Sequence, residues 1–291
     1  MKNNRESATS IALAEYCQRA AYISKIAPFG GKKSPNTTAG QIEHEYFEKI
    51  LEMAKMDSTS KEKLYSPQLH EDRKVRANEF IQNLVLQSHP EFCDLARDTL
   101  DSLDYRVDIF HNNLLAEADQ LFQDGKSLRD VRELIFPQKI EYWFENLEYR
   151  IVARVDLVYK AIDGTLVIVD IKSHHSRIAA LMHRDEHEVQ MAVYAILAEK
   201  EFGIPVNLCR IFYSQDLSYE DFPISNELKS KVINLRNELQ NILGAPIPPL
   251  LEGKEKFRCK YCYKQELCSD LARNTDSAPI EYTPPGGNEI D

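Results

Sequence analysis

The sequence predicts an α/β fold, and three observations carry that prediction. Residues 138–172 hold runs rich in β-branched and aromatic residues, KIEYWFENLEYRIVARVDLVYK and LVIVDIKS, joined through an Asp163-Gly164 turn signal. A helical stretch, 185–202 (DEHEVQMAVYAILAEKEF), then leads to another apolar run, VNLCRIFYS, giving a strand–helix–strand order. Upstream, 55–135 is helical in pattern, with almost no glycine and no strand alternation.

Each element has its own signal. Residues 8–27 (ATSIALAEYCQRAAYISKIA) read as one helix with Cys17 midway, followed by a loop at Gly30–Pro35. Thr38-Ala39-Gly40-Gln41 has the form of a capping box that opens a helix running to about Lys55. On it His44, Phe47 and Leu51 fall at i, i+3 and i+7, on one face. Helices are expected at Asp72–Ser88, Glu91–Leu103, Arg106–Phe122 and Leu128–Ile135, the last opened by Ser127 with Asp130 three residues on. The stretch 185–202 reads as amphipathic, and 226–243 as a further helix. The chain ends in SAPIEYTPPGGNEID, polar and rich in Pro and Gly, with the composition of a disordered tail. The expected organisation is N-terminal helices (1–54), a helical insertion (55–135), a sheet-bearing core (136–245), a cysteine segment (246–273) and a tail (274–291).

Bulk composition narrows the function. Of 291 residues, 43% are hydrophobic and 28% charged, as in soluble globular proteins. No apolar run approaches the ~18–20 residues of a membrane span, and MKNNRESATS lacks a signal-peptide core, so a cytoplasmic location is expected. A net charge of −10 argues against a protein that coats nucleic acid with a broad basic surface. It leaves room for an enzyme that grips a few phosphates in one channel.

The strand LVIVDIKS finishes with a carboxylate and an ammonium on one face, because Asp170 and Lys172 stand at i and i+2. Whether Asp156 joins them depends on the turn. A two-residue Asp163-Gly164 loop would send Asp156 to the wrong face. A three-residue Ile162-Asp163-Gly164 loop, with Gly164 left-handed, pairs Ala161 with Thr165 and sets Asp156 against Asp170, and glycine at the third position favours it. Two carboxylates ~4 Å apart repel by about 4 kcal/mol at an effective dielectric near 20, so such a pair calls for a cation. Hard oxygen ligands suit Mg²⁺ or Mn²⁺, with His44 as a further ligand and Lys172 to orient or deprotonate water or to stabilise charge at phosphorus. A lone D-x-K at a strand end is far more often just a solvated terminus. The combination raises the odds.

These residues resemble a known series. RVDLV (154–158), the D-G turn, VDIKS (169–173) and QMAVY (190–194) are similar to the active-site motifs of the RecB-type PD-(D/E)XK nucleases. The resemblance implies a restriction-endonuclease-like core, a central mixed sheet flanked by helices. It implies Asp156, Asp170, Lys172, Gln190 and Tyr194 as catalytic residues, and His44, Asp156, Asp170 and Ile171 as the metal-ligand set. Gln190 and Tyr194, at i and i+4, can face one site. Glu141 is a candidate further acid, with an exposed strand glutamate as the plain alternative. Val155 stands where relatives carry proline before the first acid, Ala153 where glycine is frequent, and the second acid is Asp rather than the commoner Glu.

FRCKYCYKQELCSD supplies Cys259, Cys262 and Cys268 with C-x2-C-x5-C spacing. Three thiolates leave a four-coordinate site incomplete, and Cys17, far upstream, is the candidate fourth ligand. Zinc accepts four thiolates. One N-terminal and three C-terminal cysteines bracketing such a core resemble the iron–sulfur nucleases, CRISPR-associated exonucleases among them, which implies a 4Fe–4S cluster joining the chain's two end segments. Its role would be to staple those ends together. Cys93 and Cys209 read as small buried apolar residues.

The expected function is a metal-dependent DNA exonuclease that trims single-stranded ends or processes fragments for CRISPR adaptation, with the integrase proteins of that pathway as partners. The alternatives are a nuclease component of a recombination-repair or phage replication system working with a helicase, and a DNA-binding scaffold with a decayed site. No G-x-x-x-x-G-K-[ST] loop is present, so unwinding would come from another protein. Arg73, Lys74 and Arg76 in the insertion are candidates to lie along a single strand, with a solvated helical face as the alternative.

Overall fold

Gly164 decides how the central hairpin pairs. Its φ of +86° lies in the left-handed region that favours glycine, its N–H donates to Ala161 O, and Ala161 N–H donates to Thr165 O. Asp163 locks the loop by accepting from the backbone N–H and the hydroxyl of Thr165, at 2.9 and 2.7 Å. Ala161 therefore faces Thr165, the three-residue-loop register, and the ladder continues from Lys160–Leu166 to Leu157–Val169.

The computed structural model describes residues 5–26, 35–173, 183–262, 264 and 267–269. In chain order these form β1 (Glu6–Ser7), α1 (Ala8–Tyr16), α2 (Gln18–Ile26), α3 (Pro35–Asp57), α4 (Lys61–Leu64), α5 (Pro67–Ser88), α6 (Cys93–Gln123) and α7 (Leu128–Ile135). Then come β2 (Lys139–Asn146), β3 (Ile151–Lys160), β4 (Leu166–Lys172), α8 (Arg184–Phe202), β5 (Leu208–Tyr213), β6 (Ser218–Pro223) and α9 (Asn226–Asn241). The strands make one mixed sheet: β1–β3 and β4–β5 are parallel, while β2–β3, β3–β4 and β5–β6 are antiparallel. β2 follows one edge of β3 from Ile151 to Val158. The other edge takes β1 at Ile151–Val152 and β4 at Leu157–Lys160, so β3 is forked, with Asp156 inside the fork.

Two cores cover the two faces. On one, α1, α8 and α9 pack over Ala153, Val155, Ile168 and Ile211. On the other, α3, α5, α6 and α7 pack over Leu157, Val169, Ile171 and Phe212. The α-helical segment is thus the second layer of the sheet. Burying each such Leu, Ile or Phe side chain contributes about 1.5–3 kcal/mol.

Several elements differ from expectation. The 8–27 helix is two helices, broken at Cys17, whose φ of −165° and ψ of 110° end α1 and turn its thiol out of the helical path. The α3 helix starts at Pro35, so Thr38 and Gln41 lie inside it, and Gln41 bonds Glu45 one turn on. The helix expected from Asp72 starts at Pro67 behind the cap Ser66. The pair expected at 91–103 and 106–122 is one 31-residue helix, because Asp104 and Tyr105 contain nothing that breaks a helix. Ser127 and Asp130 do form a capping box at α7. The α8 helix is not amphipathic: Val189–Ala198 is buried on every side, and only its ends are charged. β1 and β6 were not anticipated.

Arg73, Lys74 and Arg76 do not form a free basic face. Arg73 is 1% and Lys74 5% exposed, and both are neutralised inside the helical layer, Arg73 by Asp57 and Lys74 by Asp104 and Asp108. Arg76 also pairs with Asp57, at 2.8 Å. The Gly30–Pro35 loop lies outside the described residues apart from Pro35, and the 274–291 tail wholly so. Among the described residues, no helix is long and apolar enough to cross a membrane.

Candidate active site

Asp156 is the hub. The side-chain alternation of β3 changes phase across it, since Val155 and Val158 line one core and Leu157 the other. Its Oδ2 accepts the Ile171 N–H at 2.7 Å and lies 2.9 Å from His44 Nε2. The hairpin register, carried one step beyond Leu157–Val169, brings Asp156 level with Asp170 on β4.

Three neighbours complete a tight set. His44 and Glu48 stand one turn apart on α3, with Glu48 Oε1 3.4 Å from His44 Nδ1 and making no hydrogen bond. Glu141 falls opposite Asp156 on β2, between the Ile140–Leu157 and Tyr142–Val155 pairs. Its φ of +51° interrupts the pleat there, and its carboxylate pairs with Arg154. One ligand atom from each of His44, Glu48, Glu141 and Asp156 lies within 4.8 Å of all the others, a spacing that suits one metal ion.

Asp170 and Lys172 adjoin this set as an ion pair, with Nζ 2.8 Å from Oδ2. The buried α8 supplies the support: Gln190 Nε2 donates to the Tyr194 hydroxyl at 2.7 Å, and Tyr194 reaches Asp170 Oδ1 at 3.4 Å. Ile171 offers only its backbone, and its N–H already holds Asp156.

The protonation pattern follows from burial. Desolvation, with Asp156 adding repulsion, pushes Glu48 up to about 9. Asp170 is also raised, chiefly by burial, against the pull of Lys172. Burial draws His44 down, but the hydrogen bond and charge of Asp156 outweigh it and leave the imidazole above its ordinary value. Lys172 is likewise pulled down by burial and carried above its ordinary range by Asp170 and Asp156, so it keeps its proton. Tyr194 is raised well above the usual phenol, first by burial and then by both aspartates. Several buried acids short of positive charge are the donor set a divalent cation takes.

A family model described as the PD-(D/E)XK nuclease superfamily matches residues 5–269. The chain belongs to that superfamily. A search of curated proteins finds no match. The matched segment contains Asp156 and Asp170-Ile171-Lys172. Membership carries metal-dependent nuclease chemistry and a DNA substrate.

The residues predicted from sequence fall in two places. His44, Asp156, Asp170, Lys172, Gln190 and Tyr194 converge on the fork of this nuclease, while Cys17, Cys259, Cys262 and Cys268 line a separate cavity of about 740 Å³. Cys17 Sγ accepts the Ala20 N–H at 3.4 Å at the start of α2. Cys17 and Cys262 thiols are raised by burial and by the neighbouring sulfurs. Cys209 is fully buried and Cys93 packs at the edge of the helical core. Sequence reasoning missed Glu48. Its signal was present: a glutamate one turn beyond His44, on the helix face that carries Phe47 and Leu51.

Proposed function

We propose that this nuclease is a Mg²⁺- or Mn²⁺-dependent deoxyribonuclease that acts as an exonuclease on single-stranded DNA ends. The observation that carries the reading is the partly buried His44–Glu48–Glu141–Asp156 set beside the Asp170–Lys172 pair. Asp156, Glu48, Glu141 and His44 would hold the ion, and Asp170 would join them once a cation relieves its repulsion with Asp156. When bound, the ion would polarise a phosphodiester oxygen and acidify a water. Lys172 is held as an ammonium, so its role is to neutralise charge at phosphorus rather than to take a proton from water. Gln190 and Tyr194 orient Asp170.

The four cysteines would hold a 4Fe–4S cluster. They share one cavity, and four thiolates are the donor set that such a cluster takes. The cluster would join α1–α2 to the C-terminal segment, a structural role. With the motif resemblance, it supports trimming of fragments for CRISPR integration, alongside that pathway's integrases.

Anaerobic purification, a visible spectrum and an assay on end-labelled DNA test the reading. A brown protein that shortens single-stranded DNA from its ends only with Mn²⁺ or Mg²⁺, and loses this with Asp170→Ala or Lys172→Ala, is expected. Undiminished cleavage by either variant would remove the active-site assignment, and a colourless protein with stoichiometric zinc would remove the cluster.

A further inference from the structure

Beside the metal-ligand set, β2 presents an exposed indole that the chemistry above does not use. Trp143, the sole tryptophan of the chain, is 59% exposed. It lies on an edge strand among the described strands. Its neighbours Tyr142 and Phe144 turn into the core and pack against Phe202 in tilted and edge-on contacts, so Trp143 points to the opposite face, the face on which α3 packs with His44 and Glu48. Its direct cross-strand partner is Arg154, whose side chain is 61% exposed. Arg154 in turn pairs with Glu141, a member of the ligand set two residues from Trp143.

We infer that Trp143 and Arg154 form the landing platform for the single-stranded substrate, the indole stacking on a base and the guanidinium taking a backbone phosphate next to the metal site. The inference rests on the nuclease reading and names how that site holds its strand. An exposed indole that adjoins an arginine matches the stacking-plus-charge pattern by which proteins hold unpaired nucleotides. Charge decides the occupant. In a chain of net charge −10, an exposed arginine at the mouth of an acidic site is placed to attract a polyanion to a surface that would otherwise repel it. A base exposed in single strands has a face to offer the indole, whereas a paired base inside a duplex is stacked on both sides and has none.

Because Trp143 is the only tryptophan, its emission reports on the platform alone. The intact protein in EDTA, where no cleavage occurs, is titrated with oligothymidylate and, at equal nucleotide concentration, with a long duplex whose ends are few. Saturable quenching by the single strand and much weaker quenching by the duplex are expected. Trp143→Ala should weaken oligothymidylate binding, read by fluorescence anisotropy of a labelled strand, by roughly ten-fold, the factor that stacking one base is worth. Trp143→Phe should restore most of it. In the Mn²⁺ assay Trp143→Ala should raise KM while kcat stays within about two-fold. Arg154→Ala should lower the salt slope of binding by about one, which Arg154→Lys preserves.

Unquenched emission, with Trp143→Ala binding as tightly as wild type, overturns the platform. So does self-association that Trp143→Ala abolishes without any effect on DNA, which would assign the face to a second copy of the chain. Quenching and a salt slope in a protein that never cleaves would uphold the platform and refute the nuclease reading, so the two fail separately.

Discussion

Replacing Glu48 by glutamine should invert the pH dependence expected of a lost buried charge. Glu48 is 5% exposed, and its carboxyl is raised from 4.5 to about 9, so in the metal-free fold it is protonated at neutral pH. A group whose folded value lies above its unfolded one stabilises the fold fully below the unfolded value and loses that contribution as pH rises through the folded value. For Glu48 the window runs from 4.5 to about 9. Within it stability falls by about 1.4 kcal/mol per pH unit, or about 3 kcal/mol between pH 6 and pH 8. Glutamine keeps the shape of the protonated acid and cannot ionise. Glu48→Gln should therefore match wild type only below pH 4.5 in EDTA and exceed it by about 2 kcal/mol at pH 6 and about 5 kcal/mol at pH 8, a gap that widens by roughly 5 °C in Tm between those two pH values for a chain of this size. Asp170, His44 and Lys172 are also raised and contribute the same sign, but they remain in both proteins and drop out of the difference. Thermal unfolding followed by circular dichroism at the two pH values measures it. Saturating Mn²⁺ should reverse the order, because only wild type has the carboxylate. If the two proteins lose stability with pH in parallel in EDTA, Glu48 is ionised in the fold, and the picture of an acid set short of positive charge is wrong.

Other perturbations have definite signs. Lys172→Ala should lower kcat by about 10²–10³, the scale for losing one charge-stabilising group at a reacting centre, with Tm little changed in Mn²⁺; wild-type turnover would exclude the assignment. Tyr194→Phe removes the hydrogen bond that Gln190 donates to and the tether on Asp170, so it should cost about 1–3 kcal/mol in urea unfolding and reduce cleavage. Unchanged stability would mean that the relay does not form. Gly164→Ala forces a side chain into φ +86° and should cost about 1–2 kcal/mol while Mn²⁺ affinity drops through disturbed hairpin register. Cys262→Ala should bleach the visible spectrum and lower Tm, and a coloured, equally stable variant would show that this thiol is no ligand. Metal affinity should rise with pH toward the value of Glu48, about 9, since the ion must displace its proton.

Much of the site could be read from sequence because its rules are local. The Asp163-Gly164 turn fixes the register that levels Asp156 with Asp170, and a glycine in the third loop position carries that information by itself. Ser127 and Asp130 announce α7 in the same way. What escaped depends on distant partners. β1 is two residues whose only reason to be extended is β3, about 145 positions on. β6 (SYEDFP) buries Phe222 alone while its other residues stay exposed or half-buried, too little alternation to separate it from a loop. Glu48 looks like any helix-surface glutamate until α3 docks on the sheet, and the burial that raises its pKa is a tertiary fact. Arg73 and Lys74 show the opposite error, since charges that suggested a nucleic-acid face are held inside the helical layer by Asp57, Asp104 and Asp108. Cys17 needed both kinds of information: its spacing partners lie at the other end of the chain, and the helix break that frees its thiol appears only in the fold.

The most direct test is calorimetric titration of Mn²⁺ into wild type and Asp156→Asn, with cleavage of end-labelled single-stranded DNA measured on the same samples. Asp156 ties α3 to β4, through His44, the Ile171 N–H and its repulsion with Asp170. Stoichiometric Mn²⁺ binding by wild type, its loss in the variant and cleavage that rises in step with occupancy are the expected results. Wild-type affinity in Asp156→Asn, or cleavage that continues in EDTA, would contradict a metal-dependent nuclease centre at this fork.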